Sequence, residues 1–317
     1  MNMRMIVMNI WSSARACLAA VVLSLLALTG CAGTGSPSGA TASAGAVDVA
    51  VAFHPFAFVA ERVGGAGANV VNLTAPGAEP HDIELTPRQV ASLSTADLVV
   101  YQSGFQPAVD TALNQATPRR MVDTASFLTL LTGSAADHTG SATAAKDPHT
   151  WLDPRNMVAI TEHVRDALIE VRPASKDAFT ANAAALVADL TALDADYRTG
   201  LARCAITSFV TSHAAFGYLA TAYDLEQVAI RGLEPDTEPT AARIAEVQQL
   251  ARANHVTTIF FETLVSPAVA QSVARDLGLS TEVLDPIEGI TADSRGRDYL
   301  EVMRSNLTAL RTANQCS

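Results

Sequence analysis

The chain lacks several things that would settle its class at once. It has no apolar run of the ~20 residues a membrane-spanning helix needs, and only 5% of its residues are aromatic, which offers little to an adhesive surface. Basic residues are scarce, 21 Lys and Arg against 32 Asp and Glu, for a formal net charge of −11. That balance argues against a nucleic-acid partner, because phosphate backbones are bound through clustered positive charge. There is no His-Glu-x-x-His helix of the kind that builds a hydrolytic zinc centre, and there are only 4 cysteines.

What is present begins with the N-terminus. Residues 1–30 carry Arg4 and Arg15, no acid, and an apolar stretch from Ala16 to Leu28, the tripartite pattern of a secretory signal peptide. It closes on Leu28-Thr29-Gly30-Cys31, a match to the bacterial lipobox, so Cys31 is expected to be the acylated first residue of the mature protein. Residues 31–46, almost wholly Gly, Ala, Ser and Thr, cannot bury enough apolar area to fold and read as a flexible tether. Two basic residues and no acid lie in the first 30, so the remainder carries −13. With Cys17 removed and Cys31 lipidated, Cys204 and Cys316 remain as an even pair in an oxidising compartment, and a disulfide is the expected pairing. Two unpaired thiols or a thiolate metal site are the alternatives. Closing so long a loop would stabilise by about 4–5 kcal/mol on the chain-entropy account.

From Val47 the pattern is strand, helix, strand. Residues 47–53, 69–73 and 97–101 read as strands, with helices over 56–63, 87–93 and 107–114 between and after them, the rhythm of a parallel α/β fold. A helix is expected from Asp153-Pro154, with the aspartate as N-cap and the proline in the first turn. It should run to about Val171, before Arg172-Pro173. Residues 174–202 keep helical apolar spacing through Phe179, Ala183, Leu186, Leu190, Leu193 and Tyr197, a candidate strut. Strands over 206–210, 225–230, 256–261 and 281–284 and helices over 240–253, 267–277 and 298–313 repeat the grammar. The 287 residues after the signal exceed one core of ordinary size, which favours two lobes, 47–172 and 204–317, around a linker helix at 173–203.

His81, His149, His213 and Asp285 are separated by 68, 64 and 72 residues. No single helix or loop can gather them. Each lies just beyond a strand or before a helix, the edge of an open α/β sheet where ligands bind, and three imidazoles with one carboxylate suit a tetrahedral zinc ion. Glu262, at the end of Phe260-Phe261, rivals Asp285 as the oxygen donor or could orient an imidazole from outside. Asp285 is preferred because Pro286 follows it and Gly289 leaves room for close approach. His54 and His138 are candidates for accessory contacts.

The Pro80-His81-Asp82 patch, Asp147-Pro148-His149 with Trp151 and Asp153-Pro154, Ser212-His213 with Phe216 and Tyr218, Gly232-Leu233 to Glu238-Pro239, Phe261-Glu262 and Leu284-Asp285-Pro286 occur in that order behind a lipobox. Over the whole mature chain this set resembles the zinc/manganese solute-binding lipoproteins of ABC transporters, the ZnuA-type family. The resemblance implies two (β/α)4 lobes joined by one long rigid helix, with a metal site in the cleft between them. It also implies an extracytoplasmic, lipid-anchored monomeric receptor, not an enzyme, that hands its ion to a membrane permease. The family's ligands fall on His81, His149, His213 and Asp285. A carboxylate at the third position accompanies manganese in this family; His213 stands there, and three nitrogen donors favour Zn2+ over Mn2+. One departure is that the stretch 133–147, where many zinc members carry a His-rich loop, holds only His138.

Overall fold

Short apolar strands separated by capped helices govern the architecture. A computed structural model of the chain describes residues 45–133 and 145–317; Cys31 and His138 lie outside them. In the first half, β1 (Val47–Val51), α1 (His54–Gly64), β2 (Ala68–Asn72), α2 (Pro87–Thr95), β3 (Leu98–Tyr101), α3 (Pro107–Leu113) and β4 (Met121–Asp123) alternate. Two helices follow without a strand between them, α4 (Pro154–Val171) and α5 (Lys176–Leu201). The second half contains β5 (Ser208–Thr211), α6 (Gly217–Ala222), β6 (Glu226–Ala229), α7 (Ala241–Ala253), β7 (Thr258–Phe261), α8 (Ala268–Leu277), β8 (Ser280–Val283) and α9 (Tyr299–Ala313). The short elements β4 and α6 are the two that sequence periodicity does not reveal.

Each half forms a four-stranded sheet, in the order β2-β1-β3-β4 and β6-β5-β7-β8. Every strand pair is parallel. The protein is thus α/β, and the same strand order recurs in two halves with no repeat of residue identity. In both sheets the order reverses beside the first strand, which opens a crevice at the carboxyl ends. The loops after β2, β4, β5 and β8 leave from that edge.

Helix starts obey the capping chemistry in the sequence. Asp153 accepts from Arg155 N with Pro154 in the first turn of α4, and Thr86 and Gln89 form a reciprocal capping box on α2. Helix α5 is 26 residues long and buries Phe179, Ala183, Leu186, Leu190, Leu193, Tyr197 and Leu201 along one stripe. Its first part is tied to α1, through Asn182 Nδ2 donating to Val63 O at 3.0 Å and an Arg62–Asp189 ion pair at 2.7 Å. Its last part is tied to α9, where the Tyr197 hydroxyl donates to Met303 O at 2.7 Å. One continuous apolar core therefore runs from Val47 to Leu310 through this helix. A disulfide joins Cys204 to Cys316 across a separation of 112 residues. Among the described residues no helix is long and apolar enough to cross a membrane.

Candidate metal centre

The loop after β2 carries His81, and it is held in place from its own half. Gln106 Nε2 donates to Pro80 O at 3.0 Å, and His81 N donates to Glu79 Oε1 at 3.1 Å. The loop before α4 carries His149. Gln102 Nε2 reaches Pro148 O at 2.5 Å while its Oε1 accepts from Thr150 and Thr124. His213 follows β5, where the Thr211 hydroxyl donates to His213 O at 2.7 Å. All three imidazoles are buried.

Their Nε2 atoms converge on a carboxylate, and it is that of Glu288. His81, His149, His213 and Glu288 each present one donor atom, and all four atoms lie within 4.8 Å of one another. Glu288 Oε1 stands 3.3 Å from His81 Nε2, 3.2 Å from His149 Nε2 and 3.7 Å from His213 Nε2. His149 Nε2 and His213 Nε2 are 3.4 Å apart. A tetrahedral zinc ion with bonds of about 2.0–2.1 Å requires donor separations of roughly 3.3–3.4 Å. The His149–His213, Glu288–His81 and Glu288–His149 separations match that demand, while Glu288 to His213 is a few tenths of an ångström longer.

Asp285, expected as the oxygen ligand, lies outside this cluster. Its Oδ1 accepts from Ile287 N at 2.8 Å, and its Oδ2 accepts from Ser294 Oγ at 3.0 Å and Thr263 Oγ1 at 3.2 Å. Asn306 pins its backbone on both sides, at 3.0 and 2.7 Å. Asp285 therefore shapes the turn, and the turn delivers Glu288. Ile287 sits at φ +61, a left-handed conformation costly for a β-branched residue. Its neighbours hold it there, since Trp151 Nε1 donates to Pro286 O at 2.7 Å beside the aspartate's bond to Ile287 N. In the sequence Glu288 is marked only by its neighbour Gly289, and the local Asp-Pro pattern pointed instead to the residue that makes the turn.

The outer nitrogens are held as well. Nδ1 of His149 lies 2.8 Å from Asp147 Oδ1, Nδ1 of His213 lies 2.8 Å from the Glu262 carboxylate, and Nδ1 of His81 lies 3.2 Å from Glu234 Oε2. A carboxylate on the outer nitrogen fixes tautomer and ring orientation, leaving Nε2 with a lone pair for the metal. Glu262 thus orients His213 rather than joining the four, and it also takes a short hydrogen bond from Ser212 Oγ. Glu234 and Asp147 were not singled out for this role by the sequence. His54 is not brought to the cluster. It lines a cavity of about 120 Å³ that Glu288 also lines, and burial lowers its pKa to about 4.

Charge in the site is unbalanced toward the anion. Burial by itself would lower the His81 pKa, but the Glu234 and Glu288 carboxylates outweigh it and raise it to about 10. His213 behaves alike, burial opposing and Glu262 and Glu288 prevailing, so it is held well above the usual imidazole value. Burial would raise Glu288, yet hydrogen bonds from the three histidines hold it well below the usual carboxylate range. Glu79 is half-buried, and partial burial together with the Glu288 charge pushes it up to about 8. Glu288 Oε2 and Glu79 Oε2 are buried without a hydrogen-bond partner among the described residues. Such a donor set, three imidazoles and an unsatisfied carboxylate away from water, fits a divalent cation.

Residues 49–313 match the family model ZnuA, zinc-uptake complex component A, periplasmic. The chain is 37% identical over 278 residues to the zinc-binding lipoprotein AdcA of Streptococcus pneumoniae, covering 84% of this chain and 56% of that protein. It is 32% identical over 304 residues to the high-affinity zinc uptake system protein ZnuA of Bacillus subtilis, covering 92% of this chain and 95% of that one. The solved Zn(II)-bound ZnuA-like domain of S. pneumoniae AdcA superposes with a TM-score of 0.72 at 36% identity, covering 85% of this chain and 99% of that one. The chain therefore spans about half the length, 56%, of the AdcA relatives it matches.

Proposed function

Because the chain belongs to the ZnuA family of zinc-uptake complex component A proteins, we propose that it is an extracytoplasmic receptor that binds one Zn2+ and delivers it to an ABC-type importer. The observation that carries this reading is the convergence of three imidazole Nε2 atoms and Glu288 Oε1 within 4.8 Å in a buried site. His81 and His149 come from the first half and His213 and Glu288 from the second, so a bound ion ties the halves together. Three nitrogens and one oxygen favour zinc over manganese, a harder ion that prefers more oxygen donors.

Four protein donors fill a tetrahedron and leave no position for a reacting water, which supports a receptor rather than a hydrolase. We further propose that residues 1–30 are removed on export, that lipid on Cys31 anchors the chain through the tether 31–46 to the outer face of the cell membrane, and that the chain acts as a monomer. Residues 47–172 and 204–317 would act as the two lobes, with 173–203 as the strut. The family name and the lipoprotein relative support export and anchoring, and the partner for release is an ABC permease.

Equilibrium competition with a chelator, for zinc and for manganese, tests the reading on the purified protein. A single zinc site that outcompetes manganese by orders of magnitude is expected. Absence of tight zinc binding, or equal affinity for manganese, would overturn it.

A further inference from the structure

The three carboxylates on the outer nitrogens are not built alike. Asp147 and His149 belong to the same half, as do Glu262 and His213, and both acids are buried. Glu234 differs on both counts. It stands on the loop between β6 and α7 in the second half, reaches across to His81 in the first at 3.2 Å, and leaves 60% of its side chain exposed.

Among the described residues the loop that carries Glu234 is anchored at its start and braced across its width, where Arg231 Nε donates to Thr237 O at 3.0 Å. Arg231 N donates to Ser212 O at 3.0 Å, and Ala214 N donates to Gly232 O at 2.9 Å. Leu233 packs with Ala214 and Ala229 in a small cluster. Beyond it the chain turns on itself, the Thr237 hydroxyl donating to Glu234 O at 2.9 Å. Meanwhile the four donors are at most 4% exposed, so an ion cannot reach them unless some covering group moves. A water-screened pair yields more readily than a buried one, and of the three outer pairs only His81–Glu234 faces solvent.

We propose that Glu234 is the gate of the metal site: its carboxylate, laid from a loop of the second half onto His81 of the first, swings aside each time a divalent cation passes in or out. The inference rests on the zinc-receptor reading and adds to it the residue that governs exchange. Gating concerns rates more than affinity, since the same motion serves capture and release.

Stopped-flow mixing of the full-length protein with Zn2+ reads capture, and mixing of the zinc-loaded protein with excess chelator reads release. Glu234→Ala is expected to speed both by tenfold or more, so that the equilibrium constant moves less than either rate. Glu234→Gln keeps an oxygen for the His81 ring but loses the charge, and should fall between. Added salt should hasten release from the wild type and leave the alanine variant unaffected. Unchanged release in Glu234→Ala would overturn the gate, and so would faster release with unchanged capture, the signature of a group that only orients His81. Failure of the wild type to bind zinc would instead remove the receptor reading on which the gate depends.

Discussion

Glu288 and Asp285 share one short loop and divide its chemistry, one carboxylate facing the histidines and the other spent on Ile287 N, Ser294 and Thr263. Second-layer partners of a metal are commonly worth 10–100-fold in affinity, so loss of a direct donor should cost roughly 100-fold or more. Glu288→Gln and His149→Ala are expected to show that loss in chelator competition while the metal-free protein stays folded. Asp285→Asn should act first on stability, by about 1–2 kcal/mol for weakened hydrogen bonds, with a smaller change in zinc affinity. An aspartate variant that loses more zinc affinity than the glutamate variant would reverse the assignment. Titration offers a further prediction. His81 has a folded-state pKa raised to about 10, above the ordinary imidazole value near 6.5. Its pairing therefore stabilises the metal-free protein fully below about pH 6.5 and is lost as pH climbs toward 10. Zinc must displace that proton, so its apparent affinity should rise over the same interval. Melting temperature and zinc affinity, measured together against pH, should move in opposite directions.

Helix α5 works as an element because one stripe of its surface is fully buried while its two ends are bonded to α1 and α9. Leu190 is completely buried there, and Leu190→Ala should destabilise by about 2–5 kcal/mol in denaturant unfolding, the transfer loss plus an unfilled cavity. The disulfide has a different reach. Cys204 lies before β5 and Cys316 after α9, on the edge of the second sheet away from the loops that carry the ligands. Replacing both cysteines by serine should cost up to about 4–5 kcal/mol by freeing a long loop in the unfolded chain, with zinc affinity essentially unaltered. A large affinity change in that variant would mean that the terminus communicates with the site.

Across the whole molecule, two sheets of identical strand order present their carboxyl edges to one cluster, and an ion held by donors from both halves acts as a cross-link between them. A ligand that binds only the folded state stabilises it by about 4 kcal/mol when present at about 1,000 times its dissociation constant. For a chain of this size that corresponds to a rise of roughly 10 °C in melting temperature. Calorimetry with zinc should show such a rise, and manganese at the same concentration should show much less. Equal shifts would contradict a site tuned by three imidazoles.

The parallel α/β class and the run of long elements were legible in the sequence, because apolar periodicity and helix caps are local. Asp153-Pro154 announces α4, and the spacing from Phe179 to Tyr197 announces α5. The brief strand Met121–Asp123 and the short helix Gly217–Ala222 escaped, being too short to establish a period. His81, His149 and His213 were singled out by their strand-end or helix-start settings, the first two beside a proline. The choice between Asp285 and Glu288 was not, because it turns on which carboxylate is consumed by hydrogen bonds from Thr263, Ser294 and the turn itself. Pairing of Glu234 with His81 and of Glu262 with His213 is equally invisible in the chain order. The sequence by itself determined which segments become strands and helices and which imidazoles are offered at their ends, since those follow from neighbouring residues. Only the tertiary structure decided which acid completes the cluster and which acids hold the rings, since those depend on distances between residues far apart in the chain.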